Sequence, residues 1–148
     1  MIVNFFAFCI FPWFIVIFLL KIDLKIVLLI SPFASMIACI MNTWTIAYGF
    51  ADVYPFETET HLASLPMIVG VVPALSSLFV HLIQTMHRPL LWIPVFIIGT
   101  TSFEGTTLLL GLVDYDKGWN IIYTSIEYTI GYCSVYGYFM WLKSEQIV

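Results

Sequence analysis

Residues 103–128, FEGTTLLLGLVDYDKGWNIIYTSIEY, decide the fold, because they place a carboxylate in each of two apolar segments on either side of a short polar turn. The carboxylates are Glu104 and Glu127. A charged side chain at membrane depth costs roughly 2.5 to 3.5 kcal/mol on insertion scales, so such residues usually face other protein or water. The stretch therefore predicts two adjacent helices with a candidate polar site between them.

The composition of the whole chain predicts an integral membrane protein. Of its 148 residues, 61% are hydrophobic and only 9% are charged, and the mean hydropathy is +1.01. Soluble domains are about half apolar and a quarter charged. We expect one all-α domain over residues 1–148, with the lipid bilayer as its surroundings. The net charge of −4, with basic residues that never cluster, indicates that nucleic acid is not a partner.

Five apolar runs are long enough to cross a bilayer as helices. They cover residues 2–20, 26–48, 62–86, 90–113 and 121–142. The first run lacks a basic segment before it and a cleavage site after it, so we expect a retained helix and not a signal peptide. Residues 51–61, which carry Asp52, Glu57 and Glu59 and no Lys or Arg, are expected to form a solvent loop.

The distribution of basic residues predicts the orientation. Five spans put the two termini on opposite sides, and Lys117 is then the one basic residue on its side of the membrane. The other side holds Lys21, Lys25, Arg88 and Lys143. Because cytoplasmic loops carry the excess of Lys and Arg, we expect the amino end outside and the carboxyl end in the cytoplasm. The predicted location is the cell membrane, as a multi-pass protein.

Helical rise converts these positions into depths. At 1.5 Å per residue, Glu104 lies roughly 13 Å and Glu127 roughly 9 Å below the outer boundary. The seven-residue turn between their helices makes the helices antiparallel neighbours, so both carboxylates could line one outward-facing polar pocket. The candidate polar site consists of Glu104, Glu127, Asn42, Thr100, Thr107 and Thr124.

The turn itself forms a second motif, made of Tyr115, Gly118, Trp119 and Asn120. Glycine adopts a positive φ without strain, and asparagine is a favoured residue at the start of a helix. Tyrosine and tryptophan are enriched at membrane interfaces. We therefore expect the turn to lie at the outer interface and to start the fifth helix.

Two functions are compatible with a carboxylate in each of two adjacent helices. The carboxylates can hydrogen-bond across helices in a small structural or accessory protein, or they can bind a proton, cation or small polar substrate in a transporter-like protein. We expect no enzyme, because the chain has no HExxH, GxSxG or phosphate-loop motif. Cys9, Cys39 and Cys133 are widely spaced, so neither a metal nor a cofactor is expected. Other membrane proteins or a second copy of the chain are the candidate protein partners.

The run GLVDYDKGWN, with Glu104 upstream of it and the acidic aromatic loop after the second helix, resembles a known family. That family consists of small uncharacterised multi-spanning membrane proteins of spore-forming Gram-positive bacteria, such as bacilli and clostridia. The resemblance covers residues 42–141 and is most specific at the four turn residues. It implies a bacterial cytoplasmic membrane and supplies no activity.

Overall fold

A computed structural model describes residues 5–54 and 60–148, and in these ranges the chain forms five helices and two short strands. The helices are α1 (Phe6–Leu19), α2 (Leu24–Ala47), α3 (Thr60–Pro66, continued by Met67–Val71 and Val72–Met86), α4 (Pro89–Leu109) and α5 (Ile121–Ser144). The strands are β1 (Ala51–Val53) and β2 (Val113–Tyr115). The predicted all-α class is confirmed. Residues 2–4 of the first predicted span, and Glu57 and Glu59 of the acidic loop, lie outside the described residues.

Two helices in the described ranges are long and apolar enough to cross a membrane. They are α2 and the part of α3 over Leu62–Met86. Helices α4 and α5 are also long, with 21 and 24 residues, but both interrupt their apolar faces with threonines, glycines and a glutamate. Two helices of sufficient length and hydropathy agree with the predicted membrane association, and the five spans and their orientation stay predictions.

Helix α4 ends four residues before its predicted end at residue 113. Gly111 has a φ of +68°, which turns the chain out of the helix, and the amide of Leu112 donates to the carbonyl oxygen of Thr107. The residues that follow, Val113–Tyr115, form β2. The apolar run alone did not reveal this end, because leucine and valine continue through it and only the glycine marks the change.

The turn before α5 has the geometry that the sequence predicted. Gly118 has a φ of +79°, and the side-chain oxygen of Asn120 accepts a hydrogen bond of 2.9 Å from the amide of Ile122. This bond satisfies one of the amides that have no partner inside the first turn of a helix. The roles of Gly118 as a turn residue and of Asn120 as a helix cap are therefore confirmed.

Helices α2 to α5 form a four-helix bundle in which each helix contacts its neighbour along the chain and α5 closes the ring against α2. Its core, at mid-height, contains the rings of Phe79, Phe96 and Tyr132, whose centroids lie 5.1 to 5.6 Å apart in edge-to-face geometry. Such pairs add about 0.5 to 1.5 kcal/mol each beyond the area that they bury. The core fixes the four helices relative to one another.

Helix α1 lies outside this bundle, against α3. The two helices meet where Gly70 faces the backbone of Phe8 and Cys9, a position that leaves no room for a Cβ atom. Both helices have wide turns there, with i→i+5 hydrogen bonds over Phe6–Ile10 and Met67–Val71. The indole nitrogen of Trp13 donates a 3.0 Å hydrogen bond to the carbonyl oxygen of Val69. The residue four positions after Val69 is Pro73, which has no amide hydrogen to donate to that oxygen.

Strands β1 and β2 form an antiparallel ribbon across one end of the bundle, with Ala51 opposite Tyr115 and Val53 opposite Val113. The sequence predicted residues 51–61 as a solvent loop, and the described part of that loop is instead a strand at its start. Strand β1 follows α2 and β2 follows α4, so the two connections lie side by side at the same end. We call this the ribbon end of the bundle.

Aromatic side chains surround the ribbon end. Phe50 stacks on Trp119 with ring centroids 5.0 Å apart, and this pair continues into a cluster with neighbouring rings. The cluster consists of Trp44, Tyr48, Phe50, Trp119 and Tyr123. Such rings are enriched where membrane and water meet. The ribbon end thus has the aromatic composition that the sequence predicted for the outer interface.

Candidate functional site

Glu104, on α4, is held by two tyrosines that come from different elements. Its Oε1 accepts a hydrogen bond from the hydroxyl of Tyr115 in β2, and its Oε2 accepts one from the hydroxyl of Tyr128 in α5. Hydrogen bonds to a charged acceptor contribute about 1.5 to 3 kcal/mol each. Both oxygens of this carboxylate therefore have donors within the protein, and the carboxylate connects α4, α5 and the ribbon.

Tyr115 extends the same network to the turn. Its hydroxyl lies 2.8 Å from Oγ1 of Thr124, which also accepts a 3.0 Å hydrogen bond from the indole nitrogen of Trp119. Burial, and secondarily the neighbouring Glu104 carboxylate, raise the pKa of the Tyr115 hydroxyl well above its usual value. The hydroxyl therefore stays protonated and keeps donating to Glu104 throughout the physiological pH range.

Glu127, on α5, has a different environment. Its Oε1 accepts a 2.7 Å hydrogen bond from the hydroxyl of Thr45 on α2. Among the described residues no donor reaches its second oxygen, Oε2, and the side chain is half-buried. No hydrogen bond joins Glu127 to Glu104 in this part of the chain. The two carboxylates that the sequence grouped as a pair are thus chemically unequal.

Both carboxylates line one cavity of about 160 Å³ between α2, α3, α4 and α5. The ribbon and the indole of Trp119 border the cavity at one end, and the side chain of Tyr132 lines it toward mid-height. The walls between these ends are mainly aliphatic: Ile37, Met41, Met67, Ile68, Val72 and Leu75. A concave, largely apolar space with a few convergent polar groups is the usual form of a small-molecule site.

Two other predicted residues also line the cavity. Asn42, on α2, donates a 2.7 Å hydrogen bond from Nδ2 to the hydroxyl of Ser64 on α3. Thr100, on α4, is buried and donates to the carbonyl oxygen of Phe96 at 2.7 Å. Asn42 and Thr45 are three residues apart on α2 and therefore lie on the same face. The polar groups of the cavity are concentrated toward the ribbon end.

The remaining residues of the predicted polar site, Thr107 and Thr124, do not line this cavity. Thr107 donates to the backbone oxygen of Glu104 at 2.8 Å, and its side chain lines a smaller space of about 30 Å³ beside α1. Thr124 is fully buried beneath Tyr115 and Trp119. Gly118 and Asn120 shape the turn. Of the loop motif, Trp119 is the residue that lines the cavity.

Sequence reasoning missed two participants. Tyr128 follows Glu127 directly, yet its hydroxyl donates a hydrogen bond to Glu104 on the neighbouring helix. This is possible because successive residues of a helix point about 100° apart. Ser64 follows the acidic loop by three residues and lies inside the apolar run of residues 62–86. The adjacency of tyrosine and glutamate in IEY was a usable signal for Tyr128, whereas nothing near Ser64 indicated its contact with Asn42.

Comparisons with known proteins add no relative. No protein-family model matches the chain, and neither a curated protein nor a solved structure matches it.

Proposed function

We propose that this protein is a five-span protein of a bacterial cytoplasmic membrane that binds a small solute in the cavity between its helices. The ribbon end faces the outside, as do the amino end of α1 and the turn carrying Lys117. At the opposite end lie the turns with Lys21 and Arg88 and the carboxyl end after α5, an arrangement that supports this orientation because basic residues favour the cytoplasmic side.

The main support for this proposal is that the two carboxylates differ in how many hydrogen-bond donors they have. Glu104 uses both oxygens to hold Tyr115 and Tyr128. Glu127 keeps Oε2 without a donor among the described residues, in the same cavity. A half-buried carboxylate beside an open space is positioned to bind a ligand, and intramembrane carboxylates commonly mark such paths. Glu127 is accordingly the group that binds the solute. Glu104 holds Tyr115 and Tyr128 in place and thereby fixes α4, α5 and the ribbon around the cavity.

Glu104 also supports the second candidate function, that of a structural or accessory membrane protein. A carboxylate satisfied by two hydroxyls on other elements stabilises the bundle without any ligand. Under this alternative, Glu127 and Thr45 form one more interhelical contact, of on the order of 1 kcal/mol, and the cavity has no occupant. Neither function requires catalysis. The resemblance to the membrane proteins of bacilli and clostridia is compatible with both functions and favours neither.

Access of water-soluble molecules to the cavity separates the two functions. Gly131 lies on α5, one turn after Glu127, lines the cavity and has open space around its Cα, so Gly131→Cys places a thiol there without a clash. The experiment uses protein in lipid nanodiscs, with Cys9, Cys39 and Cys133 changed to serine. We expect the neutral reagent hydroxyethyl methanethiosulfonate to label the Gly131→Cys thiol.

Gly137→Cys is the matched control. Gly137 lies on the same helix, also has open space at its Cα, but is exposed on the bundle surface away from the cavity. In a bilayer this thiol should face lipid and react only after the protein is denatured in detergent. If the thiol of Gly131→Cys were equally unreactive before denaturation, the cavity would be closed to solutes, and the structural function would stand instead.

A further inference from the structure

The charges that line the cavity have one sign. Of the described residues that line it, Glu104 and Glu127 are the carboxylates, and none is Lys, Arg or His. Lys117 is at the ribbon end, but its ammonium donates to the backbone oxygen of Tyr48 and does not line the cavity. A buried carboxylate without a counter-charge is costly, so a cationic occupant would be stabilised there and an anionic one excluded.

The walls determine what kind of cation fits. A bare metal ion requires several oxygen ligands in place of its hydration shell, about six to eight for calcium. This cavity presents mainly aliphatic side chains beyond its polar end, and these would stabilise an alkyl or ring group by removing it from water. A cavity of about 150 Å³ in another protein holds benzene. The 160 Å³ found here therefore suits an occupant of about six heavy atoms.

The polar end offers acceptors for an ammonium group. Oε2 of Glu127, which no donor from the described residues reaches, is one. The hydroxyl oxygen of Thr45 is a second, because its proton is already donated to Glu127. The amide of Asn42 donates to Ser64 through Nδ2, which leaves its carbonyl oxygen as a third. All three side chains line the same cavity. A primary ammonium has three protons to donate, so the number of acceptors matches.

We infer that the solute is a small organic monocation, a primary amine with an alkyl or ring body of four to six carbons. Its ammonium binds Glu127, Thr45 and Asn42, and its body lies against the aliphatic walls toward Tyr132. This inference rests on the proposed function, because it identifies the class of ligand for the same cavity. It depends additionally on the sign of the charge and on the apolar walls.

Three reagents of matched length and different charge test the inference. Aminoethyl, hydroxyethyl and sulfonatoethyl methanethiosulfonate carry a positive, a neutral and a negative group. Their rates of reaction with the Gly131→Cys thiol are divided by their rates with a free thiol in solution. We expect the cation to react on the order of tenfold faster than the neutral reagent, and the anion to react slowest. The negative charge of the partly buried Glu127 carboxylate attracts the cationic reagent and repels the anionic one.

Glu127→Gln should weaken this preference, because one of the two carboxylates that line the cavity loses its charge, and the neutral reagent should still react. n-Butylammonium should slow the neutral reagent at Gly131→Cys, and 1-butanol and butyrate at the same concentration should not. Ala38→Cys on α2, which lines the cavity from the facing side, repeats the measurement in a second helix.

The outcomes distinguish this inference from the proposed function. A cavity that excludes all three reagents would overturn the proposed function. Access with equal corrected rates, or protection by 1-butanol as strong as by n-butylammonium, would leave solute binding standing and overturn the assignment of a cation. A cation preference as large in Glu127→Gln as in the protein with Glu127 would show that Glu127 is not the group that binds the ammonium.

Discussion

At the scale of single residues, Glu104 and Glu127 differ in how completely the protein satisfies them. Glu104 receives a hydroxyl donor on each oxygen, from Tyr115 and Tyr128. Glu127 receives one donor from the described part of the chain, the hydroxyl of Thr45. Removing a group that satisfies buried partners costs more than removing one that faces open space, because the partners are left without hydrogen bonds. Substitutions at the two positions should therefore affect stability differently.

Glu104→Ala should lower the stability of the folded protein by about 1 to 3 kcal/mol, since two tyrosine hydroxyls lose their acceptor. Glu104→Gln should cost less, because the amide oxygen still accepts one hydroxyl and the amide nitrogen can donate to the other. The measurement is the melting temperature in detergent. Glu127→Gln serves as the control and should melt like the wild type; equal losses at both positions would contradict the difference between them.

The raised pKa of Tyr115 predicts a dependence of stability on alkaline pH. Its pKa is higher in the folded protein than its value of about 10 in an unfolded chain. The stability that this difference provides is fully present below the unfolded pKa and is lost as the pH rises from about 10 toward the folded pKa. Tyr115→Phe removes the titrating hydroxyl and should make the melting temperature fall less steeply above pH 10.

The comparison between wild type and Tyr115→Phe isolates this hydroxyl, because the other tyrosines are the same in both proteins. Below pH 9 the substitution should lower the melting temperature modestly, because Glu104 and Thr124 each lose one hydrogen-bond partner. Parallel curves for the two proteins up to pH 11 would show that Tyr115 is not the group whose titration matters.

At the scale of secondary-structure elements, the crossing of α1 and α3 depends on one glycine. A Cβ at Gly70 would overlap the backbone of Phe8 and Cys9, which cannot move aside as a flexible side chain could. Gly70→Ala should therefore destabilise the protein by about 1 to 3 kcal/mol, the usual cost of overpacking. The measurement is again the melting temperature, together with protease sensitivity between α1 and α2.

Gly99 provides the matched control for Gly70. It lies in the interior of α4, with open space around its Cα. Gly99→Ala should leave stability unchanged or raise it by up to about 1 kcal/mol, because alanine favours the helix over glycine. If Gly70→Ala behaved in the same way as Gly99→Ala, α1 would not be packed closely against α3.

The ribbon shows how neighbouring elements change a local preference. Residues 110–113, LGLV, continue the apolar run of α4, so the sequence predicted a helix to residue 113. The strand forms because Val113 pairs with Val53 and Tyr115 pairs with Ala51, residues that precede them by about 60 positions. Pairing partners so distant along the chain are invisible to helical periodicity, which reads local sequence.

At the scale of the whole molecule, the proposed orientation gives a direct prediction. Cysteine at Asp116, exposed in the turn at the ribbon end, should react with a membrane-impermeant thiol reagent added to intact cells. Cysteine at Ser144, exposed at the end of α5, should react only after the cells are opened. The four-to-one distribution of basic residues between the two ends is the physical reason.

Arg88 gives an independent check of the same topology, because it lies between α3 and α4 at the end opposite the ribbon. A cysteine there should behave like the one at Ser144. Labelling of Arg88→Cys from outside intact cells would contradict the five-span arrangement or its orientation. Each of these cysteines is introduced into the background without Cys9, Cys39 and Cys133.

The helical class, the turn before α5, and the presence of two carboxylates within apolar helices could be predicted from the sequence. These properties depend on residues close together in the chain. Apolar runs favour helices, Gly118 permits a positive φ, and Asn120 caps the helix that begins beside it. These preferences depend on neighbouring residues alone, so they can be recognised directly in the sequence.

Only the tertiary structure decided what each carboxylate does. Tyr115 and Tyr128 reach Glu104 from a strand and a neighbouring helix, and Thr45 reaches Glu127 across 82 positions of the chain. The cavity likewise depends on tertiary packing, because it is the space that the side chains of four helices and the ribbon leave between them. A buried polar group makes a hydrogen bond only with a partner that the packing brings within about 3 Å. Those partners lie on other elements, so the spacing of residues along one helix does not reveal them.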